Sequence, residues 1–252
     1  MKSSLTMALV AALSLIFSAS AAAQEKTDAV NLRGRLGYSI GATAPLGIPE
    51  EVRGLNSFKP GANLSVGFDV QKDVAKRFGV MAGLRFEGKS IEADVDAKSY
   101  NMGEIRQGNQ TLGGYFTGSV FLKVKQWMLT VPVMATCNVG VSQIHVGPYV
   151  SALLSKEVTG YAYDGYLRQD TPTGAKIEMG HSPEDRGNYE FTDDLRKAQF
   201  GFVAGADWQI LNHFGVYVDL SWGVTGIFHD DFKTIEQTLY PIFGTIGVAY
   251  KF

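Results

Sequence analysis

Apolar and polar side chains alternate with a period of two through most of this chain. In residues 240–252, Tyr240, Ile242, Ile246, Val248, Tyr250 and Phe252 share one parity, broken by Gly244, while Thr245, Gly247, Ala249 and Lys251 hold the other. An apolar residue at every second position marks a strand with one face in apolar surroundings. The pattern recurs at 32–42, 62–70, 78–88, 127–139, 144–155, 199–210 and 214–225. The clearest case sets Phe214, Val216, Val218, Leu220, Trp222 and Val224 against Gly215, Tyr217, Asp219, Ser221 and Gly223.

The stretches between these strands alternate in length. Residues 43–60, 89–126, 156–197 and 226–239 are long and polar, though 115–125 has strand-like residues that extend the following strand backwards, whereas 71–77, 140–143 and 211–213 are tight. Transmembrane barrels combine short periplasmic turns with longer extracellular loops, and their strands cross in about 9–11 residues. The sequence therefore predicts an all-β fold, an eight-stranded antiparallel up-and-down transmembrane β-barrel with four long extracellular loops.

Glycine selects the inner face. Gly37, Gly67, Gly83, Gly147, Gly201, Gly205 and Gly247 are among those on the polar parity, and an eight-stranded barrel leaves room only for its own side chains. Arg33, Arg35, Asp69, Arg85, Glu87, Asp207 and Asp219 would then share the lumen as a mixed-charge network, since buried charges need partners. The aromatics at strand ends form two expected girdles, Phe68, Phe78, Trp208, Phe214, Tyr250 and Phe252 on the periplasmic side and Phe86, Trp127, Phe200, Trp222 and Tyr240 on the outer side.

Composition narrows the address. A charge of -2 offers no basic face for nucleic acid. Residues 1–23 read as a signal peptide, with Lys2, an apolar run over 5–17 and Ala21, Ala22 and Ala23 at the cleavage point, which leaves 24–252 as the barrel domain. The lone Cys137 lies on an apolar face and forms no internal disulfide. The expected location is the cell outer membrane.

Three motifs carry a resemblance. Trp127-x-Leu129-x-Val131-Pro132, Val146-Gly147-Pro148-Tyr149 and Gly201-x-x-x-Gly205-Ala206 resemble strands of the PorT-like outer-membrane β-barrels of Bacteroidetes-type bacteria. The position before the Val-Pro pair, often acidic in that family, is Thr130. The resemblance implies an outer-membrane barrel whose relatives mostly lack an assigned activity, some being linked to protein secretion or gliding.

Candidate chemistry is sparse. His229, Asp230 and Asp231 with Asp193 and Asp194 could gather at the outer rim as in outer-membrane proteases, though those look ten-stranded, and solvated loop charges are the plainer account. No calcium-loop spacing is present. For a lipid deacylase, His145 faces inward, His213 lies in a turn and His181 in a loop, none beside a serine on the lipid face. Tyr161, Tyr163, Tyr166, Arg168 and Tyr189 in the third long connection make a candidate binding loop, because Tyr and Arg are common interface anchors. The expectation is a non-enzymatic protein with no catalytic, cofactor or metal residue. Its expected partners are outer-membrane lipid, the barrel-assembly machinery through the last strand with Phe252, and an extracellular or secretion-system partner. Alternatives are a soluble lipocalin-like carrier, with the faces inverted, or an outer-membrane hydrolase.

Overall fold

The computed structural model describes residues 30–45, 50–229 and 238–252. The signal segment 1–23, Gln24, and Asp230 and Asp231 of the rim motif lie outside the described residues. The strands are β1 (Val30–Pro45), β2 (Val52–Pro60), β3 (Leu64–Asp73), β4 (Phe78–Gln107), β5 (Gln110–Val139), β6 (Ser142–Gln169), β7 (Lys176–Met179), β8 (Gly187–Glu190), β9 (Ala198–Gln209), β10 (Phe214–Gly223) and β11 (Leu239–Lys251). Eight of them, β1, β3, β4, β5, β6, β9, β10 and β11, pair antiparallel in chain order, and the β1–β11 ladder from Arg33↔Lys251 to Pro45↔Leu239 closes the ring. This is an up-and-down barrel with no free edge around its membrane section.

The outer surface confirms the predicted faces. Leu36, Ile40, Val66, Leu84, Val146, Val150, Phe202, Val218, Leu220, Ile246 and Val248 are exposed, while Arg35, Asp69, Arg85, His145, Asp207 and Asp219 are buried. A soluble carrier needs the opposite arrangement, so the lipocalin-like alternative fails.

Two of the four expected loops are largely sheet. Residues 89–126, read as a polar connection, continue β4 and β5 as strands of 30 residues each, and β6 runs for 28, well into the supposed loop 156–197. At about 3.3 Å per residue a membrane crossing uses only about a third of such a strand. The first connection also contains β2, which pairs with β4 from Val52↔Ala97 to Pro60↔Ile91. One half of the barrel wall therefore rises far beyond the lipid band, while β1, β9, β10 and β11 end near it.

The reason is an inversion of hydrophobic phase. In β4 the odd residues face inward from Gly79 to Ala97, but Arg85, Glu87 and Lys89 give way to Ile91 and Ala97, and the outward even positions change from Phe86 to Glu92, Asp94 and Asp96; beyond Ala97 register shifts bring Met102 and then Ile105 inward. In β5 the inward Thr130 and Gln126 give way to Val124, Val120 and Phe116, while the outward Leu129 and Trp127 give way to Lys125 and Lys123. On β6 a bulge at Leu154 does what continuous pairing cannot: it shifts the inward parity from Tyr149 and Ser151 to Val158 and Ala162.

Two apolar clusters follow. Ile91, Val124, Val158, Phe191, Leu195, Ile227, Phe228, Leu239 and Phe243 cap the outer mouth. Farther out, Met102, Ile105, Leu112, Phe116, Val120, Leu167 and Met179 belong to a second core, enclosed where β8 bridges β6 and β4. At the β2–β3 break, buried Asn63 stands in for a missing ladder step, accepting from the Ser90 amide at 2.6 Å and donating to the Ser90 carbonyl at 3.1 Å.

Candidate functional site

Register places the predicted lumen charges. Arg33↔Asp69 and Asp219↔Gly205 are ladder neighbours, as are Gln143↔Asp207 and His145↔Gly205, so the inward side chains of five strands converge on one level. Arg35 is the hub. It pairs with Asp69, with Asp207 at 2.9 Å and with Asp219 at 3.2 Å, and its guanidinium lies 4.5 Å from the Tyr217 ring centroid. Arg85 joins Asp219 at 2.8 Å and Asp69 at 3.6 Å, and Arg33 reaches Gln143 at 2.8 Å and Asp207 at 3.4 Å. Three guanidiniums thus face three carboxylates.

Residues beyond the predicted set complete the arrangement. His145 lies between two acids, Nε2 at 2.7 Å from Asp219 and Nδ1 at 3.2 Å from Asp207, with no exposed surface. A Cβ at Gly205 would fall on both the Asp219 carboxylate and the His145 ring, so glycine makes the room this contact needs. Glu87, the seventh predicted member, stands apart, accepting from Thr130 at 2.7 Å and lying 3.8 Å from Lys89. Lys89 in turn lies over the rings of Tyr149 and Phe243 at 5.5 Å. The inward parity of His145 and Lys89 was visible in the alternation of strand residues; their partners depended on strand register. With its members buried, the cluster cross-braces the barrel wall.

The candidate binding residues are not on a loop. Tyr161, Tyr163, Tyr166 and Arg168 are on β6 and Tyr189 is on β8, because the second core holds these segments in the sheet. Tyr161 stacks on Phe121 at 5.0 Å, and Arg186 lies 4.0 Å from its ring centroid. Tyr163 packs edge-on to His181 at 4.9 Å and donates to Asp94 at 2.7 Å. Burial, that hydrogen bond and the Asp94 charge push its phenol up to about 12. Asn56 donates to Asp94 and Asp96, Ser119 donates to Asp96 at 2.8 Å, and these bonds, Asn56's first, hold the Asp96 carboxyl below its ordinary range. The outward face thus carries rings fixed beside satisfied acids.

Tyr166 meets Lys176 at 4.6 Å and Arg168 at 5.6 Å, and Arg168 donates to the Gly174 carbonyl at 3.1 Å. Tyr189 differs from the rest of the set. It packs against both apolar cores and donates to the Phe121 carbonyl at 2.8 Å, and burial raises its phenol. Beside Tyr161 runs a groove of about 680 Å³, whose lining includes Arg106, Arg186, Asn188, Glu190 and Asp194.

At the rim, a bridge between Leu195 and Phe228 sets His229 beside Asp194, its amide donating to the Asp194 carbonyl at 2.9 Å. His213 stacks on Tyr250 at 5.6 Å beside the turn at 210–213, and His181 meets Asp164 at 3.1 Å.

Comparison with known proteins gives three findings. The family described as "Outer membrane protein beta-barrel domain" matches residues 22–229. No curated protein matches the chain. Among solved structures, Ail, the attachment invasion locus protein of Yersinia pestis, shares 8% identity over 88% of this chain and 97% of its own, with a TM-score of 0.37. The outer membrane protease OmpT from Escherichia coli shares 11% identity over 91% and 99%, with a TM-score of 0.32. With its ring closed, its apolar faces outward and the family match spanning most of its length, the chain belongs to the outer membrane protein β-barrel domain family.

Proposed function

We propose that this outer-membrane barrel is a non-enzymatic recognition protein, its outer β section binding a partner at the cell surface. The observation that carries the reading is the combination of a separate apolar core with an outward face of fixed rings. The Phe121–Tyr161–Arg186 stack lines the groove described above, Tyr163 packs on Tyr161 at 5.4 Å, and their geometry is set before any partner arrives, which lowers the ordering cost of binding. The finer proposal is a PorT-like protein serving secretion, supported by the resemblance at Trp127, Val131-Pro132 and Gly147-Pro148-Tyr149. In that reading the barrel-assembly machinery handles the last strand. A photocrosslinking side chain at Thr159, beside the groove, should capture a discrete adduct on intact cells, and Tyr161→Ala with Arg186→Ala should abolish it. The absence of any adduct sensitive to these changes would reject recognition at this face.

A hydrolase is the second reading, favoured only by the meeting of His229 and Asp194. Purified protein in lipid should cleave neither peptides nor phospholipid esters. Activity lost on His229→Ala would establish the hydrolase instead.

A further inference from the structure

We propose that Lys59, Lys123 and Lys125 bind the phosphate of outer-leaflet lipid headgroups against the tall half of the barrel wall. The proposal rests on the membrane placement of the barrel and not on the recognition reading.

The lipid band has a clear upper edge here. Phe86 and Trp127 stack at 5.0 Å on the outward face, with exposed Leu64 and Leu154 on the flanking strands. Lys125 is two residues beyond Trp127 on the same face of β5, about 7 Å farther from the bilayer centre. Lys123 follows, and the row Lys59↔Glu92↔Lys123 extends the site across β4 to β2. Amphipathic lysines at this height lay their stems on apolar surface and place the ammonium among headgroups.

The acids nearby do not cancel the site. Lys123 lies 3.7 Å from Glu92 and Lys125 3.7 Å from Glu157, all four partly exposed, in pairs too long and too wet to hold the ammonium groups. Among the described residues only two glutamates touch the three lysines; Glu190 stands two strands from Lys123 on the same row and Asp94 one outward step beyond Glu92, so the patch suits a phosphate monoanion and not a polyanion. The patch continues the lipid contact already made by Trp127. Because β4, β5 and β6 continue outward, a headgroup here has protein on one side in place of water. Above Trp222, by contrast, the wall ends and the next outward residue is Val224.

The test uses full-length protein reconstituted in phosphatidylcholine bilayers with spin-labelled phosphatidic acid or spin-labelled phosphatidylcholine, reading the fraction of label immobilised at the protein. Phosphatidic acid should be preferred, with roughly fivefold in relative association constant for each lysine engaged. Lys59→Gln, Lys123→Gln and Lys125→Gln together should remove the preference, and Lys76→Gln in the opposite turn should leave it intact. An unchanged heat-dependent gel shift establishes that the triple variant is folded. The proposal is overturned if wild-type protein shows no preference or if the triple variant keeps it. It is also overturned if millimolar inorganic phosphate abolishes the preference, because the site would then be a free-anion site. Loss of the barrel's gel shift in wild-type protein would instead count against membrane insertion itself.

Discussion

Glu87 and Ile91 face the same way from the same strand, four residues apart, and are surrounded by opposite chemistry. Around Glu87 and below it the interior holds the charge network beside a small apolar cluster of Met81, Met134, Tyr149 and Val203, and the exterior is apolar; around Ile91 and above it the interior is apolar and the exterior carries Glu92, Asp94 and Asp96. The backbone ladder is continuous across the change, from Glu87↔Met128 through Ile91↔Val124. Pairing therefore does not decide which face is greasy. The solvent outside does: in lipid the polar groups have only the lumen in which to find partners, whereas in water the hydrophobic effect turns the apolar set inward.

The largest losses are expected where the interior of either section is attacked. Asp219→Ala leaves Arg35, Arg85 and His145 short of a buried partner and should cost about 3–5 kcal/mol. The loss should appear as a lower urea midpoint for the entire barrel in lipid. Phe116→Ala, in the outer core, should also cost about 3–5 kcal/mol, but only locally. Hydrogen exchange should accelerate over residues 95–120 and 160–179 while β9, β10 and β11 keep their protection. If Phe116→Ala loosened the membrane section equally, the two cores would be one cooperative unit.

The outward positions sharpen the contrast. Val131→Arg, facing lipid, should lose about 2–4 kcal/mol, while Thr159→Arg, on the water-facing continuation of β6, should change stability by less than about 0.5 kcal/mol. Equal costs at the two sites would put both in the same solvent. A modest, pH-dependent effect is expected at Tyr163. Tyr163→Phe removes one hydrogen bond to Asp94 and should cost about 0.5–1.5 kcal/mol. Because the folded phenol is raised to about 12, the wild-type contribution is complete below the ordinary tyrosine range and fades as pH climbs from about 10 through about 12. Hydrogen exchange near residue 163 should show this loss in the wild type and not in the Phe variant.

The membrane section was legible from sequence because lipid imposes a strong pattern. Phe214 to Val224 alternates without a break, and the inward Asp219 and Arg35 stand out against small neighbours. The outer section carries an equally regular alternation, Ile91-Glu92-Ala93-Asp94-Val95-Asp96-Ala97, yet its charged outward residues read as a polar loop to a search tuned to lipid-facing strands. The signal was period two with its apolar parity reversed. The candidate site was less legible. Tyr161 and Tyr163 were found as a tyrosine-rich segment, but Arg186, Asn56 and Phe121 reach them only through the register of β2, β4, β5 and β8. Tyr189 shared their composition and proved to be a packing residue, since nothing local told its strand which face was covered.

Spin labels placed singly along β5 from residue 119 to 139 in lipid bilayers test the phase inversion most directly, through collision with oxygen, which favours lipid, and with a water-soluble nickel complex. The labels at 129, 131, 133 and 135 should meet oxygen, those at 119, 121, 123 and 125 should meet nickel, and the even positions between should be shielded from both, with the crossover at Trp127. Oxygen contact continuing to residue 119, or nickel reaching the even positions beyond Trp127, would contradict a single ladder that leaves lipid and folds its apolar face inward.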